Sequence, residues 1–169
     1  MATSLIRLAI GADDLGAALK DYLVKALADD PRLAFVRDLS DGEADPTSPY
    51  PIVAIHVAEA VARGEVDRAI LICGTGIGMC ITANKVPGVR AAVVHDTYSA
   101  ERSVLSNNCQ IMTLGARIIA EVSAHRLVNE WLCYEFDIGS PSAAKLQVIT
   151  EYERAADKAP NSGPPAPKD

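Results

Sequence analysis

Ala69–Cys73 (AILIC) is a run of five apolar residues that breaks at once into Gly74-Thr75-Gly76-Ile77-Gly78. A strand with no polar face must be covered on both sides, the condition of a strand inside a parallel sheet with helices above and below. The rest of the chain fits that demand. Leu5–Gly11, Leu33–Leu39, Val89–His95 and Gln110–Leu114 read as four further strands. Between them, apolar residues recur at helical spacing in Asp14–Ala28, Ile52–Arg63, Met79–Lys85, Tyr98–Leu105, Glu121–Tyr134 and Ser142–Ala156. Pro51 suits a first helical turn and Gly64 a helix stop. Strand–helix alternation of this kind predicts an α/β fold with a five-stranded parallel sheet and helices on both faces.

The 169 residues suit one domain, placed at 1–156. Ser40–Pro49 is rich in Asp, Pro, Ser and Gly and reads as a loop. Residues 157–169 hold four prolines and little to bury, which predicts a disordered tail. Sixteen basic against twenty-two acidic residues leave a charge of −6, which argues against nucleic acid or an anionic membrane as the main partner. No apolar run is long enough to span a bilayer and Met1–Arg7 lacks the pattern of a signal peptide. Cys73, Cys80, Cys109 and Cys133 form no CxxC pair and no zinc spacing, so no metal is expected, and reduced thiols in a cytoplasmic protein are. Cys80, Cys109 and Cys133 lie in apolar stretches and read as core, His56 and His125 as packing or solvent residues on helices.

In parallel sheets ligands bind at the carboxyl ends of the strands. Cys73-Gly74-Thr75-Gly76-Ile77-Gly78 sits at such an end. Glycines there let backbone N–H groups turn toward a ligand, and a following helix start favours an anion. A tight turn with no ligand remains the alternative. The spacing is GxGxG, which is neither a dinucleotide fingerprint nor a P-loop. A thiolate at Cys73 could act as a general base beside that cradle, or the cysteine could simply be packed. Asp13 and Asp14 end the first strand, where one carboxylate could take sugar hydroxyls and the other cap a helix. His95, before Asp96, could be an acid–base group or structural.

With these residues in place, the chain over about residues 5–155 resembles the ribose-5-phosphate isomerase B family, which also contains the galactose-6-phosphate isomerase subunits. The likeness is carried in order by Gly11-Ala12-Asp13, Tyr50-Pro51, Gly64-Glu65-Val66-Asp67, Ile70–Gly78, Ala83-Asn84-Lys85, Gly88-Val89-Arg90, Tyr98-Ser99-Ala100, Asn107-Asn108 and Leu114-Gly115-Ala116-Arg117. The resemblance implies a Rossmann-like three-layer α/β/α sandwich. It implies a homodimer or tetramer with shared active sites, and interconversion of an aldose phosphate and a ketose phosphate through a cis-enediolate with no cofactor. It makes Cys73 the base, Thr75 the hydroxyl that moves protons at the sugar oxygens, and Gly74, Gly76 and Gly78 the anion cradle. Asp13 and Tyr50 would line the sugar, Asn107 would reach in from the partner subunit, and Arg117 would hold phosphate.

Three positions depart from the family pattern. Asp14 stands where a histidine is usual, Ser106 where a ring-opening histidine is common, and Pro141 and Lys145 where two arginines contact phosphate. Ribose 5-phosphate is therefore joined by an alternative, erythrose 4-phosphate, which needs no ring-opening acid. His95 is a second way to replace the lost histidine. A sugar-phosphate-binding subunit without its own activity, or a redox or nucleotide-binding protein, are the competing classes.

Overall fold

The computed structural model describes residues 4–40 and 48–156. Most of the Ser40–Pro49 loop and all of the stretch from 157 onward lie outside the described residues. Five strands and six helices alternate: β1 (Ile6–Ala12), α1 (Ala17–Leu27), β2 (Leu33–Asp38), α2 (Tyr50–Ala62), β3 (Arg68–Cys73), α3 (Ile77–Ala83), β4 (Ala91–Val93), α4 (Thr97–Leu105), β5 (Ile111–Gly115), α5 (Glu121–Trp131) and α6 (Pro141–Ala156). The strands form one sheet in the order β2-β1-β3-β5-β4, and every pair is parallel. This is the Rossmann-like fold expected from the pattern.

The apolar run in β3 divides by strand periodicity. Ile70 and Ile72 join Leu8, Ile10, Met112 and Leu114 beneath α1, α4 and α5. Ala69, Leu71 and Cys73 point the other way, onto Val53, Val57 and Val61 of α2 and Met79 and Ala83 of α3. Two apolar layers thus enclose the sheet, with Trp131 of α5 the largest fully buried side chain.

This arrangement fixes where a ligand can sit. The chain leaves β1 and β5 toward the α1/α5 face but leaves β3 toward the α2/α3 face. Loops that part in opposite directions open a crevice at the carboxyl end of the sheet. The end of β3, flanked by β1 and β5, is that point.

Several boundaries differ from the sequence reading, each for a local reason. α1 begins at Ala17, because Asp13 takes the N–H of Gly16 through both its carbonyl and Oδ1 at 3.0 Å, making a turn first. β4 is three residues long, and past it the His95 side chain takes over the bonding. α5 stops at Trp131, where Arg68 receives the freed carbonyls: its guanidinium donates to Trp131 O at 2.6 Å and to Tyr134 O, and stacks on the Trp131 ring. Cys133, expected in the core, is exposed, and its Sγ accepts from Arg32 Nη1 at 3.0 Å. Cys80 is half-buried, and Cys109 is buried as expected, its thiol pushed up to about 11 by desolvation. Among the described residues no helix is long and apolar enough to cross a membrane.

Gly16 is where the first turn rests on β3. A β-carbon there would lie 2.5 Å from the Ile72 carbonyl oxygen, and neither backbone can yield cheaply. Gly16→Ala is expected to lower unfolding free energy by about 1–3 kcal/mol, the usual range for overpacking. Urea unfolding should show this as a lower midpoint at unchanged slope.

Candidate active site

Three backbone hydrogen bonds draw the strand ends together. Asp13 N donates to Ile72 O at 3.2 Å, Ala116 N to Cys73 O at 2.8 Å and Arg117 N to Gly74 O at 3.1 Å. The ends of β1, β3 and β5 are therefore continuous, and the residues they carry cannot drift apart independently.

Cys73 closes β3 with 6% of its surface exposed, beside a loop whose Thr75 and Ile77 are open to solvent. Its Sγ accepts the Gly76 N–H at 3.2 Å. Gly76 then turns the chain into α3 with φ +78°, a conformation L side chains rarely adopt. A β-carbon there would also come 3.0 Å from Leu114 C. Thr113 Oγ1 donates to Gly76 O at 2.9 Å, which pins the loop to β5. Of the three cradle glycines, Gly76 thus spends its N–H on the sulfur. Thr75 is exposed, and its Oγ1 lies 3.4 Å from the N–H of Ile77.

The walls come from neighbouring elements. Tyr50, at the head of α2, lays its ring over Gly78, where a β-carbon would come within 2.5 Å of Cε2. Arg117 runs beside Gly74, its Nε 3.9 Å from where a β-carbon would stand. Leu15 covers the same glycine at 3.2 Å. Asp13 is buried and Asp14 is exposed. Desolvation pushes the Asp13 carboxyl above the ordinary aspartate range, partly offset by the N–H of Gly16. His95 reaches across from the end of β4, and its Nε2 accepts Gly115 N–H at 2.8 Å. Asp96 accepts Ser99 N–H at 2.7 Å and caps α4, which holds its carboxyl below the usual range.

One chain therefore gathers Cys73, Gly74, Thr75, Gly76, Gly78, Asp13, Asp14, Tyr50 and Arg117 at the carboxyl edge of the sheet, with His95 braced against the same edge. Asn107 and Lys145 are elsewhere. Asn107 follows α4 at the amino-terminal edge, its Nδ2 donating to Arg102 O at 2.9 Å. Lys145 is an exposed residue of α6, a helix that lines a cleft with Arg90 and Asn108 near that opposite edge.

Two residues of the site escaped the sequence reading of individual roles. Thr113 is a hydroxyl inside an otherwise apolar strand, a signal that it serves something beyond packing. Gly115 is required by closeness, since a β-carbon there would be 2.7 Å from Thr75 Cα. Among the described residues no group of His, Cys, Asp and Glu is placed to hold a metal ion.

A family model described as Ribose/Galactose Isomerase matches residues 8–149. Over 150 residues the chain is 51% identical to D-erythrulose-4-phosphate isomerase 2 of Mycolicibacterium smegmatis, covering 89% of this chain and 99% of that protein. It is 45% identical to D-erythrulose-4-phosphate isomerase of Pectobacterium atrosepticum, with 88% and 96% covered. The fold is similar to the solved structure of ribose-5-phosphate isomerase B from Clostridium thermocellum, with a TM-score of 0.81 at 38% identity, covering 89% of this chain and 99% of that one.

The charge on Asp13 carries a testable cost. Its folded pKa lies above the ordinary 3.8, so the charged form is disfavoured by folding and the penalty acts at neutral pH. Asp13→Asn keeps an oxygen for Gly16 N–H and removes the charge. The variant is expected to match or exceed the parent's thermal midpoint at pH 7. That margin should shrink as pH falls through the raised pKa and vanish below about 3.8, where Asp13 becomes protonated in both states.

Proposed function

The chain belongs to the ribose/galactose isomerase family, and from that premise we propose that it interconverts a four-carbon aldose phosphate and its ketose, with Cys73 as the base. Like its relatives it is an aldose–ketose isomerase of sugar phosphates. The observation that carries the reading of Cys73 is the placement of its sulfur at the end of β3, with a backbone N–H aimed at it and an exposed hydroxyl two residues on.

In the proposed reaction the Cys73 sulfur removes the proton from C2 of the aldose. The C–H electrons form the C1–C2 double bond and the C1 carbonyl becomes an enediolate oxygen. The same sulfur returns the proton to C1 while the carbonyl re-forms at C2. The proton lost from O2 must reach O1, and the Thr75 hydroxyl faces the solvent side where such a transfer can pass. Backbone N–H groups of the glycine loop steady the oxyanion. Asp13, raised by burial, takes the sugar hydroxyls, Tyr50 closes the wall over Gly78, and Arg117 holds the phosphate.

Two considerations favour four carbons over five. A sugar whose O4 is phosphorylated cannot close a five-membered ring through that oxygen. It needs no acid to open one, which suits Ser106 in place of histidine. Relatives at 51% and 45% identity are also named for erythrulose 4-phosphate.

The proposal includes a homodimer with shared sites. Asn107 and Lys145 lie at the far edge of their own chain, so they can serve a site only in a second copy. Leu15, Tyr50, Ile77 and Ile118 surround the mouth and are exposed in one chain, as are Val148, Ile149 and Tyr152 of α6. Apolar surface of that extent suits a subunit contact.

Three measurements test this reading. Cys73→Ala should lower kcat by about 10²–10⁴-fold, the usual worth of a positioned general base, with circular dichroism unchanged. Persisting solvent-deuterium exchange at C2 would remove Cys73 from the role. Assayed side by side, erythrose 4-phosphate should give the higher kcat/KM, and preference for ribose 5-phosphate would reverse the substrate assignment. Mixing Cys73→Ala with Asn107→Ala subunits should restore about a quarter of parental activity, the share of intact sites when symmetric dimers exchange freely. No recovery on mixing would place Asn107 outside the shared site.

A further inference from the structure

His95 sits one strand away from the reacting groups, and its bonding says what it can and cannot do. The donor on its Nε2 is a backbone N–H, that of Gly115 at 2.8 Å. An amide proton cannot be exchanged for a lone pair, so Nε2 must be the bare nitrogen and Nδ1 must carry the ring proton. A nitrogen occupied in this way is not available to collect a proton from a sugar.

The amide it caps has a particular place. Gly115 is the last residue of β5 and lies opposite Cys73 in the ladder. On its other side, β4 ends at Val93, and the last backbone bond is from Val94 N to Thr113 O at 3.1 Å. Gly115 N–H would then be a buried donor without a partner. From Gly115 the chain turns tightly: its carbonyl accepts Ile118 N at 2.9 Å and Ile119 N at 3.1 Å, Ala116 N bonds Cys73 O, and Arg117 N bonds Gly74 O. The turn that sets Arg117 beside Gly74 is thus held by β3 on one side and by an imidazole on the other.

We infer that His95 is a positioning residue, a neutral clamp that keeps the Gly115–Arg117 turn in register with Cys73–Thr75. The inference rests on the proposed roles of Arg117 and Cys73 for its effect on turnover, while the clamp itself does not depend on them. Burial lowers the affinity of His95 for a proton, and Asp96 beside it pulls the other way. Among the described residues lining the same cleft, the other charged group is Arg126 of α5, which is exposed and pairs with Glu130 at 3.8 Å. When the ring does become protonated, Nε2 turns from acceptor to donor and the Gly115 bond is lost. Because the folded pKa lies below 6.5, the clamp is complete above that pH and fails as pH falls through the window beneath it.

Two side chains separate clamp from catalyst. His95→Gln can still present an oxygen to Gly115 N–H but does not titrate. His95→Ala leaves the amide unpaired. His95→Ala is expected to lose about ten- to hundredfold in kcat/KM, mainly through KM, as befits one buried donor left without a partner. His95→Gln should recover to within about threefold of the parent, within the span of one neutral hydrogen bond. KM of the parent is expected to rise on the acid side, and that rise should be missing from His95→Gln. If His95→Gln is as impaired as His95→Ala, the ring acts by proton transfer and the inference falls. It falls equally if both variants match the parent. Nitrogen-15 NMR of the unmodified protein at pH 7 gives a readout free of turnover: Nε2 should resonate as an unprotonated acceptor and Nδ1 as protonated. The reverse pattern overturns the clamp even if every sugar phosphate is turned over. The expected pattern with no turnover of any sugar phosphate would leave the clamp standing and remove the proposed function instead.

Discussion

The bonding of β3 to both neighbours, at its last two residues and at Gly74 just beyond, is what the rest of the site depends on. Ile72 accepts from Asp13, Cys73 accepts from Ala116, and Gly74 accepts from Arg117. Each bond is an ordinary backbone contact of modest net worth. Their effect is geometric. A carboxylate, a thiol and a guanidinium that lie more than a hundred residues apart from first to last are delivered to one edge by a ladder whose interior is fully buried. Because β3 sends its helix to the α2/α3 face while its neighbours β1 and β5 send theirs to the opposite face, the space above those residues is left open.

Closeness at that edge is obtained by leaving out side chains. Gly16 rests on Ile72 O, Gly76 on Leu114 and Gly115 on Thr75 Cα, each nearer than a β-carbon permits without movement. Only Gly76 also needs its positive φ. The glycine loop is therefore less a free cradle than a packed joint: one of its N–H groups is given to the Cys73 sulfur, and its carbonyl is tied by Thr113. Rigidity of this kind is what proton transfer between fixed positions requires.

The strand pattern was legible because burial writes itself in composition. AILIC could belong only to a strand covered on both faces, and the alternation around it left little choice of layer architecture. The order β2-β1-β3-β5-β4 was not legible, since adjacency of β3 and β5 arises from long-range pairing that no local window contains. The same limit applies within the site. Cys73 and the glycines declared themselves by position after a strand. The joining of His95 to Gly115 did not, because two residues twenty apart meet only once the sheet has formed. Cys133 misled for the opposite reason: an apolar neighbourhood in sequence places a residue on a helix end, and Arg32 arriving from the β1–β2 side decides that the sulfur stays outside.

Charge at the phosphate end ties the chemistry to assembly. Asp14 brings a carboxylate to the place where the family resemblance puts a histidine, but it is exposed. At 4 Å, two unit charges in water repel by only about 1 kcal/mol, and far more in a dry interior. An open mouth therefore tolerates Asp14 beside a phosphate, whereas a sealed one does not. In the proposed dimer the second copy would cover that mouth and remove the water that screens Asp14. It must then bring its own positive charge or leave Asp14 at the wet rim. Lys145, exposed on α6, is the residue able to do the first. On the proposed reading, Arg117 beside Gly74 would then hold the phosphate of a four-carbon sugar while Lys145 of the second copy offsets Asp14.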